Sequence, residues 1–537
     1  MSEDAMPEHA LDRPSADRAL PKPRPRWLGL AVILAVAAAV IGALEAVTIA
    51  DGGTRNLAIL AAVGVALAAL LVWLLFFATL RWTGRLIVLA AVLLPIGTLR
   101  LEGYSGDLRP VFAWRWSQPA DRALVGEIAK VPGGDAGQKL DLRPTPSDFP
   151  QFLGPARLAE VDDVRLATDW RQTPPRRLWR QPIGAGWSSF AVVGNYAFTQ
   201  EQRGDDELVV CYQRDTGEML WSQAGRGRFV SVMGGDGPRA TPTIHAGRVY
   251  AMGATGWLKC LDGSSGRVLW SRDVVTENHA ALPMWGISGS PLVVDARVIV
   301  SAGGPNGHSL VAYHPDTGDV HWHGGDSRAS YASPVLATLG GQRQIIMLNA
   351  EDVTGHDLET GRVLWQYTWP GGQPKVPQPV AVGDHQVLIA AGYGLGTKLL
   401  TIATGKPTAE AATEVWSSRS LRPKFTNVVI YGGHIYGIDD GRTLNCLDLA
   451  GGKLKWRSAR SAEYGHGQIV RVGKLLVVQC ESGDVALVRA SPERFEELTR
   501  FHAIDGKTWN DPALAGRYLL VRNAQEAACY ELPLTSE

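Results

Sequence analysis

Between residues 257 and 270 the chain reads Trp-Leu-Lys-Cys-Leu-Asp-Gly-Ser-Ser-Gly-Arg-Val-Leu-Trp. Apolar and polar positions alternate, a Gly-Ser-Ser-Gly turn interrupts the alternation, and Val268-Leu269-Trp270 begins a second short strand. Alternation with period two, broken by turn chemistry, predicts a β-hairpin. Asp262 stands three residues before Ser265, where its carboxylate can accept turn N–H groups, and Gly266 supplies the positive φ that the reversal needs. A hairpin alone cannot bury the Trp270 indole, so a neighbouring sheet must cover it.

The neighbour is the same unit repeated. A hydroxyl residue or glycine, then Gly, then Trp four residues later recurs at Thr216-Gly217 with Trp221, Thr317-Gly318 with Trp322, Thr360-Gly361 with Trp365 and Gly451-Gly452 with Trp456. Degenerate copies lie at Thr404-Gly405, which reaches Trp416 after an insertion, and at Ser491-Pro492, which reaches Phe501. Trp179 ends a unit that lacks a beginning, and Cys529-Tyr530-Glu531-Leu532 begins one that lacks an end. The aromatic ends at 179, 221, 270, 322, 365, 416, 456 and 501 are spaced by 42, 49, 52, 43, 51, 40 and 45 residues. A period in the forties, filled by four short strands, is that of a β-propeller blade. Eight units predict an all-β, eight-bladed propeller over 170–537, in which the strand at Trp179 completes the last blade and leaves no free edge.

Ahead of the repeats the hydrophobic pattern changes. Residues 1–26 are rich in Pro and charge and read as a disordered cytoplasmic tail. Trp27 to Ile49 and Leu57 to Leu80 are apolar runs long enough, at helical rise, to cross a membrane. Leu86 to Leu99, with flanking Trp82 and Leu101, predicts a third span despite Pro95, giving about three transmembrane helices in 27–101 (27–49, 57–80 and 83–101). The cationic tail and the loop carrying Arg81 and Arg85 belong in the cytoplasm by the positive-inside rule. Three crossings then place residues from 102 onward in the periplasm, with the chain as a multi-pass protein of the inner (cytoplasmic) membrane. A second span follows the first at once, which disfavours a removable signal peptide. Residues 102–169 read as a Pro/Gly-rich periplasmic linker with one short helix near Asp121 to Lys130. Within it Asp148-Phe149-Pro150-Gln151-Phe152-Leu153-Gly154-Pro155 carries too many apolar side chains for a free tether and is expected to pack on the propeller's rim.

Lysine plus arginine and aspartate plus glutamate balance at 53 each, so nucleic acid is not an expected partner. Four of the five cysteines, Cys211, Cys260, Cys446 and Cys529, share one column of the repeat with Ala312, Gly355 and Ala486. The column demands a small buried residue, and these thiols are expected in the core rather than in disulfides.

The run Cys260-Leu261-Asp262-Gly263-Ser264-Ser265-Gly266 through Trp270, and Asp357-Leu358-Glu359-Thr360-Gly361 through Trp365, resembles the tryptophan-docking repeat of the pyrroloquinoline quinone (PQQ) propeller superfamily. That superfamily holds the quinoprotein alcohol and glucose dehydrogenases and also the assembly lipoprotein BamB, which has the fold without the quinone. The resemblance covers roughly residues 170 to 537 and implies either a protein- or ligand-binding scaffold of the BamB kind or a membrane-bound, PQQ- and Ca²⁺-dependent dehydrogenase of an alcohol or sugar. The adjacent Cys-Cys pair found beside the quinone in many alcohol dehydrogenases of that group is missing here. Blades of about 44 residues also leave little room for the long excursions that wall in a substrate. The scaffold is therefore the favoured reading, with a periplasmic protein or a small ligand as partner and no catalytic set assigned.

Segments leading into each innermost strand converge on one mouth of a propeller. They supply Trp187, Trp285, Tyr331, Lys424, Asn427, His466, Trp509 and Asn510 as candidate ligand- or cofactor-binding residues. The loops between second and third strands add Glu201, His308, Glu351, Asp352, Asp439, Asp440, Glu481 and Asp484. Rings could stack a flat molecule, and carboxylates could hold a hard cation such as Ca²⁺.

Overall fold

The computed structural model describes residues 27–46, 52–78, 80–128 and 140–535. The expected tail 1–26 and residues 47–49 of the first expected span lie outside them. The chain divides into two units, one of 1–48 with 57–97 and one of 49–56 with 98–537.

Two helices, α1 (Trp27–Ala46) in the first unit and α2 (Gly52–Val72, continued by a π-turn over Trp73–Phe77), which belongs to the first unit from Leu57 onward, are long and apolar enough to cross a membrane. The third helix, α3 (Trp82–Thr98), has 17 residues and contains Pro95. At 1.5 Å per residue it reaches about 25 Å, short of the ~30 Å hydrocarbon core. The bounds expected for the third span, 83–101, are thus corrected: the helix ends at Thr98, and Leu99–Tyr104 pairs antiparallel with Pro110–Trp114 as a hairpin. Among the described residues two helices, not three, meet the length of a crossing.

The second unit is the eight-bladed propeller. Each blade is an antiparallel sheet with its strands in sequence order: 191–226, 243–273, 292–324, 335–368, 380–418, 429–457, 468–502 and 513–531. The last has three strands of its own, and Arg176–Pro182 supplies the fourth by pairing with Glu526–Glu531. The first strands of neighbouring blades approach one another and line the central channel.

The repeated tryptophan holds each blade to the next. Trp179 donates its Nε1 to Arg214 O, Trp221 to Gly263 O, Trp270 to Pro315 O, Trp322 to Leu358 O, Trp416 to Leu449 O and Trp456 to Ser491 O, each an acceptor in the following blade's turn. The ring lies so close to the turn that a Cβ on Gly266 would stand 2.5 Å from Trp221 Cε3. The turn glycine is therefore needed for space as well as for its φ of +71°. Asp262 and Asp357 accept the turn N–H and hydroxyl groups as expected. Blade four departs from the rule. Gly355 occupies the column that holds Cys or Ala in most other blades, Leu399 in blade five and, in place of the expected Ala486, Leu487 in blade seven; Trp365 leans into that gap to donate to Gln344 Oε1 at 2.5 Å instead of reaching Gly405. All five cysteines are buried and free.

The segment expected on the rim lies inside the channel. Phe149 exchanges two backbone hydrogen bonds with Val192 of blade one (2.9 and 2.8 Å), and Ile244 N of blade two donates to Pro150 O at 2.8 Å. Arg157 donates to Ser290 O (2.9 Å) and Pro334 O (3.3 Å), at the innermost strands of blades three and four. Glu160–Val161 then adds a parallel strand to blade seven. Phe149, Leu153 and Arg157 are all at most 3 % exposed. The inner strands are short and their edges carry unused N–H and C=O groups, which a crossing strand can satisfy and a rim contact cannot. The short helix expected near Asp121 appears as two turns, Ala120–Ala123 and Val125–Ile128.

Candidate functional site

One polar residue stands just ahead of each innermost strand, or in blade seven at its first position: Ser189, Thr241, Ser290, Ser333, Gln378, Asn427, Gln468 and, in blade eight, Asp511. From Ser189 to Asn427 each backbone N–H donates to the side-chain oxygen of the next member, at 2.9 to 3.4 Å. This belt laces the blades around the channel. Two of the expected ligand residues are spent on the lacing: Asn427 accepts from Gln378 N at 2.9 Å, and Asn510 donates to Ser188 O at 2.9 Å.

Above the belt the aromatic residues expected at the mouth do converge. Trp187 and Trp509 lie 4.8 Å apart, centroid to centroid, and Trp285 and Tyr331 5.0 Å apart. Phe425 joins the two pairs, 5.0 Å from Trp509 and 6.2 Å from Trp285. These rings form a collar between two spaces. Below it is an inner chamber of about 130 Å³, lined also by Phe152 of the plug, Arg239, Asn427, Gln468 and Asp511. Above it is a vestibule of about 570 Å³, lined by Lys424, Lys375, Arg328 and Glu351 and roofed by Ser105, Gly106 and Leu108 of the hairpin turn.

The hairpin is fixed there by polar contacts. Gly106 N donates to Glu481 Oε1 at 3.0 Å, Lys507 Nζ to Tyr104 O at 2.9 Å, and His466 Nε2 lies 3.2 Å from Asp107 Oδ1. Glu481 also accepts from His466 N and Trp509 Nε1. Burial raises the Glu481 carboxyl, but the neighbouring His466 and these donors outweigh it and leave it below its ordinary value. Burial pushes the Lys507 ammonium down to about 8, against the opposing pull of Glu481. Its charge stands 4.3 Å over the Trp509 ring and 5.1 Å over Trp187. Desolvation raises Asp511 to about 7, against a single side-chain donor, Asn427 Nδ2 at 3.4 Å.

Of the eight expected residues, Trp187, Trp285, Tyr331, Lys424, Asn427 and Trp509 line one or both spaces. His466 packs against Phe425 at 5.2 Å behind the collar, and Asn510 turns to the belt. Sequence reasoning missed Phe425, Lys507, Asp511 and Phe152. The first three sit within three residues of the predicted Lys424, Asn427, Trp509 and Asn510, so a wider window at the same strand beginnings would have caught them. Nothing in the repeat pointed to Phe152.

A Ca²⁺-bound quinone does not fit these residues. The loop carboxylates are committed elsewhere: Glu201 to Arg203 and Tyr212, Asp352 to Ser327, Asn349 and Gln366, Asp439 to Arg422, Asp440 to Lys424, Asp484 to His502 and Arg500. Among the described residues no three His, Cys, Asp or Glu side chains converge as a metal site, whereas Ca²⁺ takes six to eight oxygens. The tryptophan faces pair with other rings instead of leaving a planar slot.

Comparison with known proteins agrees with the fold. Residues 170–252 and 232–458, together more than half of the chain, match the family model described as outer membrane protein assembly factor BamB. BamB of Shewanella oneidensis is 24 % identical over 279 residues, 48 % of this chain. The chain spans 65 % of that relative's length. A europium-containing methanol dehydrogenase superposes with a TM-score of 0.54 at 13 % identity, covering 76 % of this chain and 100 % of its own. The quinohemoprotein alcohol dehydrogenase of Comamonas testosteroni gives 0.54 at 13 % identity, covering 78 % and 85 %. At such identities these two likenesses concern the fold alone. The repeat, its docking tryptophans and the family match together make this chain a member of the BamB-type family of PQQ-like β-propellers.

Proposed function

We propose that the chain is a membrane-anchored scaffold whose propeller mouth binds a protein partner of the cell envelope. The observation that carries this reading is an exposed apolar rim on the loops between blades one and three. Val230, Val232, Met233, Leu282 and Met284 are 42 to 74 % exposed, and Met233, Leu282 and Met284 line the vestibule. Clustered exposed apolar side chains, methionines among them, mark surfaces that take up protein. The Shewanella relative is named an assembly factor, which agrees with a partner that is itself an envelope protein.

The placement we propose is the inner membrane with the propeller on the periplasmic side, which requires α3 as a third crossing. Interfacial aromatics at both of its ends support it: Trp82 opens the helix, and the hairpin that follows exposes Phe112 together with the stacked pair Trp114 and Trp116. Such anchors let a short helix span by local thinning of the bilayer.

The test is photo-crosslinking in intact cells from a reactive side chain placed at Met284. A discrete crosslinked band, lost on Val232→Glu with Leu282→Glu, is expected. A diffuse smear unaffected by those changes refutes the docking face. Separately, a cysteine introduced at Thr535 should react with a membrane-impermeant maleimide on spheroplasts. Reaction only after lysis refutes the periplasmic placement without touching the docking result.

A further inference from the structure

The inner chamber combines features that neither a docking face nor a sealed channel explains. Of the eight belt residues, seven are neutral and only Asp511 is ionisable. Its carboxylate opens into the chamber, receives one long side-chain hydrogen bond, from Asn427, and among the described residues has no ion-pair partner. A half-buried carboxylate without a cation is costly to keep charged, and a cation brought to it recovers part of that cost.

The walls favour the same charge. Aromatic faces carry negative potential and attract ammonium groups within about 6 Å of the ring centre. The rings of Trp187 and Trp509 already accept the Lys507 ammonium in this way. Arg239, the cation on the chamber wall, is held elsewhere: it donates to Gly234 O and Gly235 O and lies 4.6 Å over Phe229. A chamber of about 130 Å³ holds four or five water-sized groups, at about 30 Å³ each. That is the size of a tetramethylammonium ion and far below a tricyclic quinone. Trp285, Tyr331, Phe425 and Trp509 line both the chamber and the vestibule, so the two spaces share aromatic walls.

We propose that the inner chamber binds a small organic cation, a methylated or primary ammonium of about five heavy atoms, enclosed by the aromatic collar and neutralised by Asp511. The rings supply a surface that tolerates methyl groups, and the carboxylate supplies the charge selectivity that rings alone give weakly. This site is independent of the apolar rim, and neither needs the other.

Full-length protein in lipid nanodiscs is titrated with tetramethylammonium chloride at constant ionic strength against NaCl, followed by tryptophan fluorescence and calorimetry. The expected result is saturable binding, with tert-butanol, a neutral molecule of similar shape, at least about tenfold weaker. Asp511→Asn should weaken the ammonium by about tenfold or more while leaving tert-butanol unchanged. Phe425→Leu keeps the volume, removes one ring face and should weaken the ammonium severalfold; it serves also if the Asp511 variant does not fold. Absence of saturable ammonium binding overturns the proposal. So does equal binding of tert-butanol, or wild-type affinity in a folded Asp511→Asn or Phe425→Leu protein.

Discussion

Replacing Gly361 by alanine isolates the force that joins one blade to the next. A Cβ at this position would lie 2.3 Å from Trp322 Cε3 and 2.7 Å from Cδ2, far inside ordinary contact, and φ is +72°. Gly405 occupies the same place in the following blade with φ +78°, yet nothing stands within 4 Å of its Cβ position, because Trp365 has turned to Gln344. Both substitutions carry the left-handed backbone cost of about 1 kcal/mol. Only Gly361→Ala must also displace an indole that is 8 % exposed and donates to Leu358 O at 3.1 Å. Overpacking adds about 1–3 kcal/mol and the lost hydrogen bond about 1 kcal/mol. The expected losses are thus about 3–5 kcal/mol for Gly361→Ala and about 1 kcal/mol for Gly405→Ala. Urea unfolding of the full chain in detergent, followed by tryptophan fluorescence, compares them. In a Trp322→Leu background the cost of Gly361→Ala should fall to that of Gly405→Ala. Equal losses for the two alanines in the wild-type background would show that the docked ring does not constrain its turn.

Three further outcomes are expected. Because burial raises Asp511 from 3.8 to about 7, the folded chain holds this proton more tightly than the unfolded chain. Its contribution is full below about pH 4 and is lost as pH rises through 7, so wild type should lose a few kcal/mol relative to Asp511→Asn across that window, at about 1.4 kcal/mol per unit. A flat difference between the two urea-midpoint curves would rule this out. Arg157→Ala leaves the carbonyls of Ser290 and Pro334 without their donor; it should free the plug, so that limited proteolysis newly cuts between residues 145 and 165, whereas an unchanged digest would mean that Phe149 and the strand at Glu160 hold the segment unaided. Burial pushes the thiols of Cys446, Cys480 and Cys529 up to about 12, so iodoacetamide at pH 8 should modify none of the five cysteines in the folded protein and all of them in urea.

Much of the fold is legible in the chain because its cause is local and repeated. Asp262, Gly266 and Trp270 each do within one hairpin what their chemistry dictates, and eight repetitions give blade number and closure by the strand at Trp179. The buried column likewise explains why four cysteines are core residues, although Leu399 and Leu487 show that it takes a larger side chain in blades five and seven. The exception in blade four was written there too, as Gly355 in that column, but its effect on Trp365 appears only when Gln344 is brought beneath the ring. The third apolar run shows the opposite limit. Composition marked 83–101 as a span, yet Leu99 had a β partner in Pro110–Trp114 that hydropathy does not record.

The sequence by itself therefore determined the propeller, its register of docking tryptophans and the convergence of Trp187, Trp285, Tyr331 and Trp509 on one mouth. Those features depend on period and turn chemistry, which act over a few residues and recur. Only the tertiary structure decided what fills the channel: that Phe149 to Val161 plugs it, that the hairpin turn at Gly106 roofs it, that Asn427 and Asn510 belong to the belt, and that Asp511, the one ionisable belt residue, opens into the inner chamber. These contacts join residues from about forty to several hundred positions apart and occur once each. Their energy comes from burial and from unsatisfied inner-strand hydrogen bonds, which no repeat advertises.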